Sequence, residues 1–298
     1  MADQAERLRE IMHRHLDRND IDRIEDNESK FIAVTSGKGG VGKTNFTVNL
    51  AISLAILGYK VVIIDGDLGL ANVDVISGTY LKYTISDMFL KGKSISEIMA
   101  EGPSGIKIIS GGSGLKELNL LSGENLETFI KEIEKIENQY DFIIIDTGAG
   151  ISQNVIKFLL LADELVLVTT PDPTSLMDGY ALLKAIITCD YMGDIKMFIN
   201  MVESRKEAEE VYNKLNIASN RFLKRDIEFL GYLNKSFIVG NAVKNQRPFV
   251  LDNPNCSVSR KIKIIASRFT NISEKEFKKI KTTSFSQRLR EFFLGEGS

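Results

Sequence analysis

The stretch FIAVTSGKGGVGKTNFTVNLAISLAIL, residues 31–57, decides the fold of this 298-residue chain. It opens with apolar and β-branched residues, 31–35, a composition typical of a buried strand. A glycine-rich turn follows. Apolar residues then recur at the spacing of a helix, at Val48, Leu50, Ala51, Leu54 and Leu57. The stretch therefore predicts a strand, a tight turn and a helix in immediate succession.

The turn between them, residues 37–44, reads GKGGVGKT and fits the phosphate-loop pattern G-x-x-x-x-G-K-[ST]. Its glycines allow successive backbone N–H groups to turn inward around a phosphate, and the helix N-terminus adds the positive end of its dipole. We expect Lys43 to reach the β- and γ-phosphates of a nucleotide and the Thr44 hydroxyl to ligate magnesium. The predicted nucleotide-binding residues of the loop are Gly37, Lys38, Gly39, Gly40, Val41, Gly42, Lys43 and Thr44.

A second cation inside the loop, Lys38, narrows the class of protein. The sequence resembles the deviant Walker A ATPases of the MinD/ParA family, whose signature is K-G-G-x-G-K-[ST]. The resemblance implies ATP and Mg²⁺ as ligands and an ATP-dependent homodimer in which Lys38 reaches the ATP of the partner subunit. It also implies an α/β fold with a mostly parallel sheet and helices on both faces. Strand and helix signals that alternate through the middle of the chain favour the same architecture.

Aspartates follow two further predicted strands. Asp65 and Asp67 come at the end of strand 60–65, and Asp146 ends strand 141–146. Because ligands collect at the carboxyl ends of parallel strands, we expect these carboxylates near the loop. A carboxylate there can orient the water that attacks the γ-phosphate, a role that the resemblance assigns to Asp67; the alternative is a cap for the next turn. Four apolar residues ending in Asp146 have the Walker B form, so Asp146 is expected to hold Mg²⁺ through water.

Residues on the base side of the site are less completely defined. The resemblance implies that Asn200, near the end of predicted strand 197–202, hydrogen-bonds the adenine edge; a strand-end cap is the alternative. In the same family the strand corresponding to 229–233 commonly leads to base contacts through a proline, and here Asn234 follows it instead. Asn72 and Asp74 fall where the family has a nucleotide-sensing switch.

The N-terminus predicts a short amphipathic helix, which the resemblance described below identifies as a partner-binding element. Residues 1–16 carry an apolar stripe at helical spacing, and residues 17–30 form a polar, mostly acidic linker. A helix this short must dock on its own core or bind a partner. Residues 3–9, DQAERLR, resemble the DQAxxLR element of the FlhG (FleN, YlxH) branch of the MinD family, which engages the GTPase FlhF and stimulates GTP hydrolysis. The implied contact residues are Asp3, Gln4, Ala5, Leu8 and Arg9.

The C-terminal segment, residues 272–298, predicts a membrane-targeting helix that follows the ATPase domain at 31–271. Lysines and arginines flank its apolar face, a composition suited to an anionic membrane surface. The alternative is a terminal helix packed on the core. Two copies on one dimer would bind far more tightly than one, by effective concentration. The predicted membrane residues are Phe285, Leu289, Phe292, Phe293 and Leu294.

Composition sets limits on other functions. The net charge of −2 argues against a general affinity for nucleic acid, so no specific nucleic acid is expected, although a local basic patch is compatible with it. Cys189 and Cys256 stand alone, which gives no basis for a disulfide framework, a zinc site or an iron–sulfur carrier. No apolar run approaches the roughly 20 residues of a spanning helix. We expect a cytoplasmic protein, reversibly peripheral at the cell membrane.

The resemblance carried by these motifs implies an ATPase of the FlhG branch that controls flagellar placement and number, working with FlhF and with basal-body and C-ring components. A MinD-type regulator of the division site is the nearest alternative. A ParA-type DNA partition ATPase is a further one, which would show a basic surface in place of the C-terminal amphipathic helix.

Overall fold

The computed structural model describes residues 29–67, 72–112, 124–270, 286–288 and 290. Over these residues eight strands form one sheet in the order β3-β4-β2-β5-β1-β6-β7-β8. The strands are β1 (Lys30–Ser36), β2 (Val61–Gly66), β3 (Ala100–Glu101), β4 (Lys107–Ser110), β5 (Phe142–Ala149), β6 (Glu164–Thr169), β7 (Asp194–Val202) and β8 (Glu228–Asn234). The helices are α1 (Lys43–Ile56), α2 (Val73–Ser77), α3 (Ile85–Lys91), α4 (Ile95–Ile98), α5 (Glu124–Glu137), α6 (Gln153–Leu161), α7 (Pro173–Thr188), α8 (Arg205–Ala218), α9 (Phe237–Lys244), α10 (Phe249–Asp252) and α11 (Ser257–Thr270).

The first strand lies in the middle of the sheet, as its apolar run predicts. All seven residues of β1 are buried, and β1 pairs in parallel with β5 on one edge and β6 on the other. Strands covered on both faces read as continuous apolar runs because neither side meets water. Among the described strands only the short β3 pairs antiparallel, with β4. The predicted mostly parallel α/β sheet is confirmed.

Alternate residues of the strands pack against two layers of helices on opposite faces of the sheet. On β1, Ile32 and Val34 pack with α1, α2, α9, α10 and α11 on one face. Phe31 and Ala33 point to the other face, which is covered by α3 to α6 beside the β2 half of the sheet and by α6 to α8 beside the β6 half. The period of two along a strand thus places helices on both faces.

Charged residues cluster at the end of the sheet where the parallel strands begin, opposite the phosphate loop. Lys30, Glu164, Lys196 and Glu228, on four neighbouring strands, form ion pairs in that order across the edge. Burial lowers the pKa of the Lys30 amine, which the Glu164 carboxylate partly offsets. Each charge has a partner of opposite sign, which offsets part of the desolvation cost of burial.

Both ends of the described chain contact this same region. Ser29, at the end of the predicted linker, is buried, and its hydroxyl donates to the carbonyls of Glu137 and Tyr140. Ser29 and Lys30, which the prediction assigns to the linker, are therefore part of the folded structure. The N-terminal contact residues Asp3, Gln4, Ala5, Leu8 and Arg9 lie outside the described residues.

The predicted membrane residues Phe285, Leu289, Phe292, Phe293 and Leu294 are also outside the described residues, but polar residues between them are placed. Ser286 is buried, and its hydroxyl donates to the Glu137 carboxylate at 2.6 Å. Arg288 pairs with Asp163 at 2.7 Å, and Arg290 with Glu134 at 3.4 Å. These three polar residues of the segment thus contact the core. Within the described residues no helix has the length and apolar character needed to cross a membrane.

Candidate nucleotide-binding site

The loop between β1 and α1 adopts a shape that requires glycine at several positions. Gly40 and Gly42 have φ angles of 77° and 91°, in the left-handed region that L side chains rarely adopt. A Cβ on Gly37 would overlap the backbone of Asp178 and Gly179 in α7, whereas one on Gly39 would meet nothing within 4 Å. The Ser36 hydroxyl donates to the carbonyl of Lys38 at 2.8 Å and ties the start of the loop to its strand. The loop geometry thus depends on both backbone conformation and close packing.

The helix after the loop positions two hydroxyls against one carboxylate. Asp146 of β5 is fully buried; its Oδ2 accepts from the Thr44 hydroxyl at 2.6 Å and its Oδ1 from the Thr47 hydroxyl at 3.0 Å. Burial raises the pKa of Asp146, while the nearby Lys43 ammonium and the two hydroxyls lower it. The sequence predicted Thr44 and Asp146 as magnesium ligands. The sequence analysis did not identify Thr47, although a hydroxyl three residues after Thr44 on a helix is expected to lie beside it.

This donor set fits a magnesium ion bound together with a nucleotide. Among the described residues no cluster of three or more His, Cys, Asp or Glu side chains could hold a metal by itself. Mg²⁺ is ordinarily held by one or two protein oxygens plus phosphates and water, so a hydroxyl and a buried carboxylate are a sufficient protein contribution. A bound Mg²⁺ would neutralise charge developing on the phosphates. Lys43, almost fully buried at the start of α1, stands beside the same carboxylate.

A second buried carboxylate organises the loop after β2. Asp65 pairs in register with Asp146, which brings the two side chains onto neighbouring strands. Its Oδ1 accepts from the Asp67 backbone at 3.1 Å, and its Oδ2 from the Asn72 and Val73 backbones at 3.2 and 3.3 Å. Burial first, and then the charge of Asp146, raise the pKa of Asp65 to about 7. The sequence predicted only that Asp65 lies near the phosphate loop, because its backbone hydrogen bonds depend on the path of the following loop.

The predicted catalytic carboxylate, Asp67, directly follows β2 and lies close to the end of β5. Asp67 is half-buried, and a Cβ on Gly148 would lie 3.6 Å from its Oδ1. Gly148 and Gly150 follow Asp146 at the end of β5, and the Gly150 backbone N–H donates to the Ser36 carbonyl at 2.9 Å. Asp67 therefore lies at the start of the loop after β2, near Gly148 and close enough to act electrostatically on Asp146, and a carboxylate in that position can act on a water molecule.

The other predicted catalytic residue, Lys38, contacts the start of α7. Its ammonium donates to the Asp172 carboxylate at 2.8 Å and to the Thr174 hydroxyl at 2.6 Å. Asp172 caps α7 by accepting from the Thr174 backbone N–H at 2.9 Å. The hydrogen bond from Lys38, followed by those from Thr174, lowers the pKa of Asp172 to about 2. About two fifths of the Lys38 side chain is exposed, so this contact is accessible to water.

On the base side, Asn200 contacts the phosphate loop itself. Its amide donates to the Val41 carbonyl at 2.9 Å, and its carbonyl oxygen accepts from the Met201 backbone N–H. The adenine role of Asn200 stays a prediction. Asn234, which stands where the family commonly has proline, donates to the carbonyls of Val202 and Glu203 and accepts from Lys261 at 2.8 Å. These bonds fix the end of β8 to the end of β7, so the side chain has a structural role here.

The fold and the loop together define a P-loop ATPase of the MinD/ParA type. A family model described as an AAA domain matches residues 29–197. In solved structures, the chain resembles MinD in the MinC:MinD cell division complex of Aquifex aeolicus, with a TM-score of 0.65 and 26% identity over 82% of this chain and 97% of that one. Two relatives identify the branch of the MinD family to which the chain is similar in sequence.

The antiactivator FleN of Pseudomonas aeruginosa is 36% identical over 80% of this chain and 85% of its own length. The flagellum site-determining protein YlxH of Helicobacter pylori is 38% identical over 89% of this chain and 90% of its own.

The chain therefore belongs to the FlhG (FleN, YlxH) family of MinD-like ATPases. As a member it is a nucleotide-hydrolysing protein that works with a nucleotide and Mg²⁺. The predicted fold, family and general activity are confirmed, while the individual roles of the site residues remain predictions.

Proposed function

We propose that this protein is an ATP-driven dimerisation switch that controls the placement and number of flagella. Two similar relatives carry the names antiactivator FleN and flagellum site-determining protein YlxH, and the similarity extends over most of each chain. The observation that supports a switch is the position of Lys38. A lysine that served only its own nucleotide would lie beside Lys43, yet Lys38 extends to the exposed start of α7.

In this proposal ATP and Mg²⁺ bind at residues 37–44, with Thr44 and Asp146 as the protein contribution to the metal. The loop glycines supply N–H groups to the phosphates, and Lys43 pairs with the terminal phosphates. The Asp67 carboxylate accepts a hydrogen bond from the attacking water and orients it toward the γ-phosphate. Lys38 leaves Asp172 and reaches the nucleotide of the partner subunit. Turnover is slow and serves to separate the dimer.

The N-terminal residues 1–16 form the proposed contact with FlhF, joined to the ATPase domain by the linker. In this role Asp3, Gln4, Ala5, Leu8 and Arg9 contact the GTPase and stimulate its GTP hydrolysis, and basal-body and C-ring components are further partners. The test is GTP hydrolysis by purified FlhF with the full chain and with the chain lacking residues 1–20. Equal stimulation by both would remove this part of the proposal.

The C-terminal residues 272–298 form the proposed membrane anchor, so that the cytoplasmic protein becomes peripheral at the inner face of the cell membrane. Insertion of Phe285, Leu289, Phe292, Phe293 and Leu294 requires their apolar face to turn toward lipid. The contacts of Ser286 with Glu137 and Arg288 with Asp163 hold the polar side of the same segment, and they would have to change if the segment leaves the core. Flotation with anionic vesicles in ATP and in ADP tests the switch, and equal binding in both would contradict it.

A division-site regulator of the MinD type is the second candidate, favoured by the similarity to MinD of the MinC:MinD complex. The two functions differ in what a loss of the gene changes. Deletion in a flagellated host should alter the number or position of flagella and leave the division plane central. Minicells with normal flagella would favour the division role.

A further inference from the structure

The C-terminal part of the ATPase domain carries a concentrated positive charge. Between Lys235 and Arg268 the sequence has seven lysines and arginines and one acidic residue, Asp252, whereas the whole chain has a net charge of −2. Every residue of this region is described, so the position of the charge on the fold is defined.

Helix α11 presents much of this charge on its outer side. Its inner face, formed by Val258, Ile262, Ile265 and Phe269, is buried in the core. The opposite side, here called the outer basic stripe, consists of Arg260, Lys263, Ile264, Ser267 and Arg268 at spacings of three and four residues. Arg260 and Arg268 are exposed, and Ile264 is 43% exposed between them. The stripe is therefore cationic at both ends and apolar near its centre.

Carboxylates do not neutralise the stripe within the described part of the chain. Arg260 lies in no ion pair there, and the Lys263 ammonium donates to the Pro254 carbonyl at 3.3 Å. Arg268 donates to backbone carbonyls of β8, including that of Phe229 at 3.3 Å. In the surrounding region Arg247 is the cation with a nearby acid, Asp252 at 3.7 Å. The positive field of the stripe is thus available to an external anion.

We propose that the outer basic stripe is a second membrane contact, which lies flat on an anionic lipid surface beside the C-terminal anchor. The proposal rests on the membrane association described under the proposed function. Its cations complement anionic headgroups, and its exposed isoleucine suits the boundary between headgroups and acyl chains. Duplex DNA would satisfy the cations but would offer Ile264 little apolar contact. Because α11 ends at Thr270, directly before residues 272–298, an inserted anchor would bring the stripe to the same surface.

The test compares the full chain with two charge-reversed double variants, using vesicles of phosphatidylglycerol and phosphatidylcholine with ATP and Mg²⁺. R260E/K263E reverses the stripe. K184E/K214E reverses two exposed lysines of α7 and α8, on the opposite face of the sheet. Each basic residue near an anionic lipid surface adds to the free energy of membrane binding. Reversing two of these charges in R260E/K263E should therefore lower the ratio of bound to free protein by at least about tenfold. K184E/K214E should float like the wild type, and thermal unfolding should show all three proteins folded.

Equal flotation of R260E/K263E and the wild type would overturn the inference and leave the C-terminal anchor in place. A wild type that never floats would overturn both the inference and the membrane part of the proposed function. Binding to a random-sequence DNA duplex is measured in parallel by fluorescence anisotropy. If R260E/K263E loses DNA binding while its flotation is unchanged, the stripe is a nucleic-acid surface and the inference is wrong.

Discussion

The substitution Asp65→Asn tests whether the ionised carboxylate of Asp65, buried beside Asp146, lowers the free energy of unfolding. Asp65 is about 1% exposed and lies next to a second buried carboxylate. Its three backbone hydrogen bonds compensate this only in part, since its pKa is raised from 3.8 to about 7 by burial and then by Asp146. The ionised form is therefore disfavoured in the folded state relative to the unfolded one.

The size of the effect follows from this change in pKa. A rise from 3.8 to about 7 corresponds to about 4 kcal/mol, at about 1.4 kcal/mol per unit. Between those two values the folded protein holds a proton that the unfolded chain has released. The free energy of unfolding therefore falls as the pH rises through this window and then levels off above it. From about pH 5 to about pH 8 the contribution of Asp65 is a loss of about 3 kcal/mol.

The amide side chain of the D65N variant cannot titrate, so this variant should lack that part of the pH dependence. Relative to the wild type, its free energy of unfolding should rise by about 3 kcal/mol between about pH 5 and about pH 8. Urea unfolding with EDTA and without nucleotide measures it, because a cation beside Asp146 would lower the pKa of Asp65. Asp146 is present in both proteins, so the difference between them reports Asp65 together with its electrostatic coupling to Asp146, and D178N at an exposed position of α7 is the control. Parallel profiles of wild type and D65N would refute the reasoning.

Three further substitutions probe the loop and its contacts. Gly37→Ala should lose nucleotide binding and about 1–3 kcal/mol of stability through overlap with α7, whereas Gly39→Ala should fold normally; fluorescent-nucleotide titration and urea unfolding distinguish them. Asp172→Ala should release Lys38 and increase the dimer fraction in ATP, seen by light scattering after gel filtration, and an unchanged fraction would mean that the contact does not restrain Lys38. Thr47→Val should cost about 1–3 kcal/mol by removing a hydrogen bond to a buried carboxylate, with Thr47→Ser as the conservative control in thermal unfolding.

The strands that carry the site could be predicted from sequence because each is a buried apolar run. Strand 31–35 is confirmed, and its actual bounds, Lys30–Ser36, differ by one residue at each end. Strand 141–146 runs on to Ala149, because Ala149 pairs with Ser36 after an irregularity in the register. A hydrophobic pattern cannot show that extension, since glycine and threonine continue the ladder there through backbone bonds.

The apolar pattern of helix α11 also predicts a helix. Val258, Ile262, Ile265 and Phe269 recur at helical spacing, and all four are buried. The four-residue helices α4 and α10 are different, because one turn is too short for a period to be recognised. Contacts between distant parts of the chain could not be predicted from local patterns either. Lys38 and Asp172, for example, are 134 residues apart.

The residues of the site divide by burial into a fixed part and a part that can move. Thr44, Thr47 and Asp146 are nearly or fully buried and bonded to one another, so displacing any of them leaves a polar group unsatisfied in the interior. Lys38 and Asp67 are partly exposed, and water can replace their present contacts at little cost. A rearrangement between subunits would therefore begin with Lys38 and the loop of Asp67, while the carboxylate and hydroxyls expected at the metal remain in place. In the proposed dimer, this difference in cost would allow the loop to keep its buried contacts at the nucleotide site while its exposed contacts change.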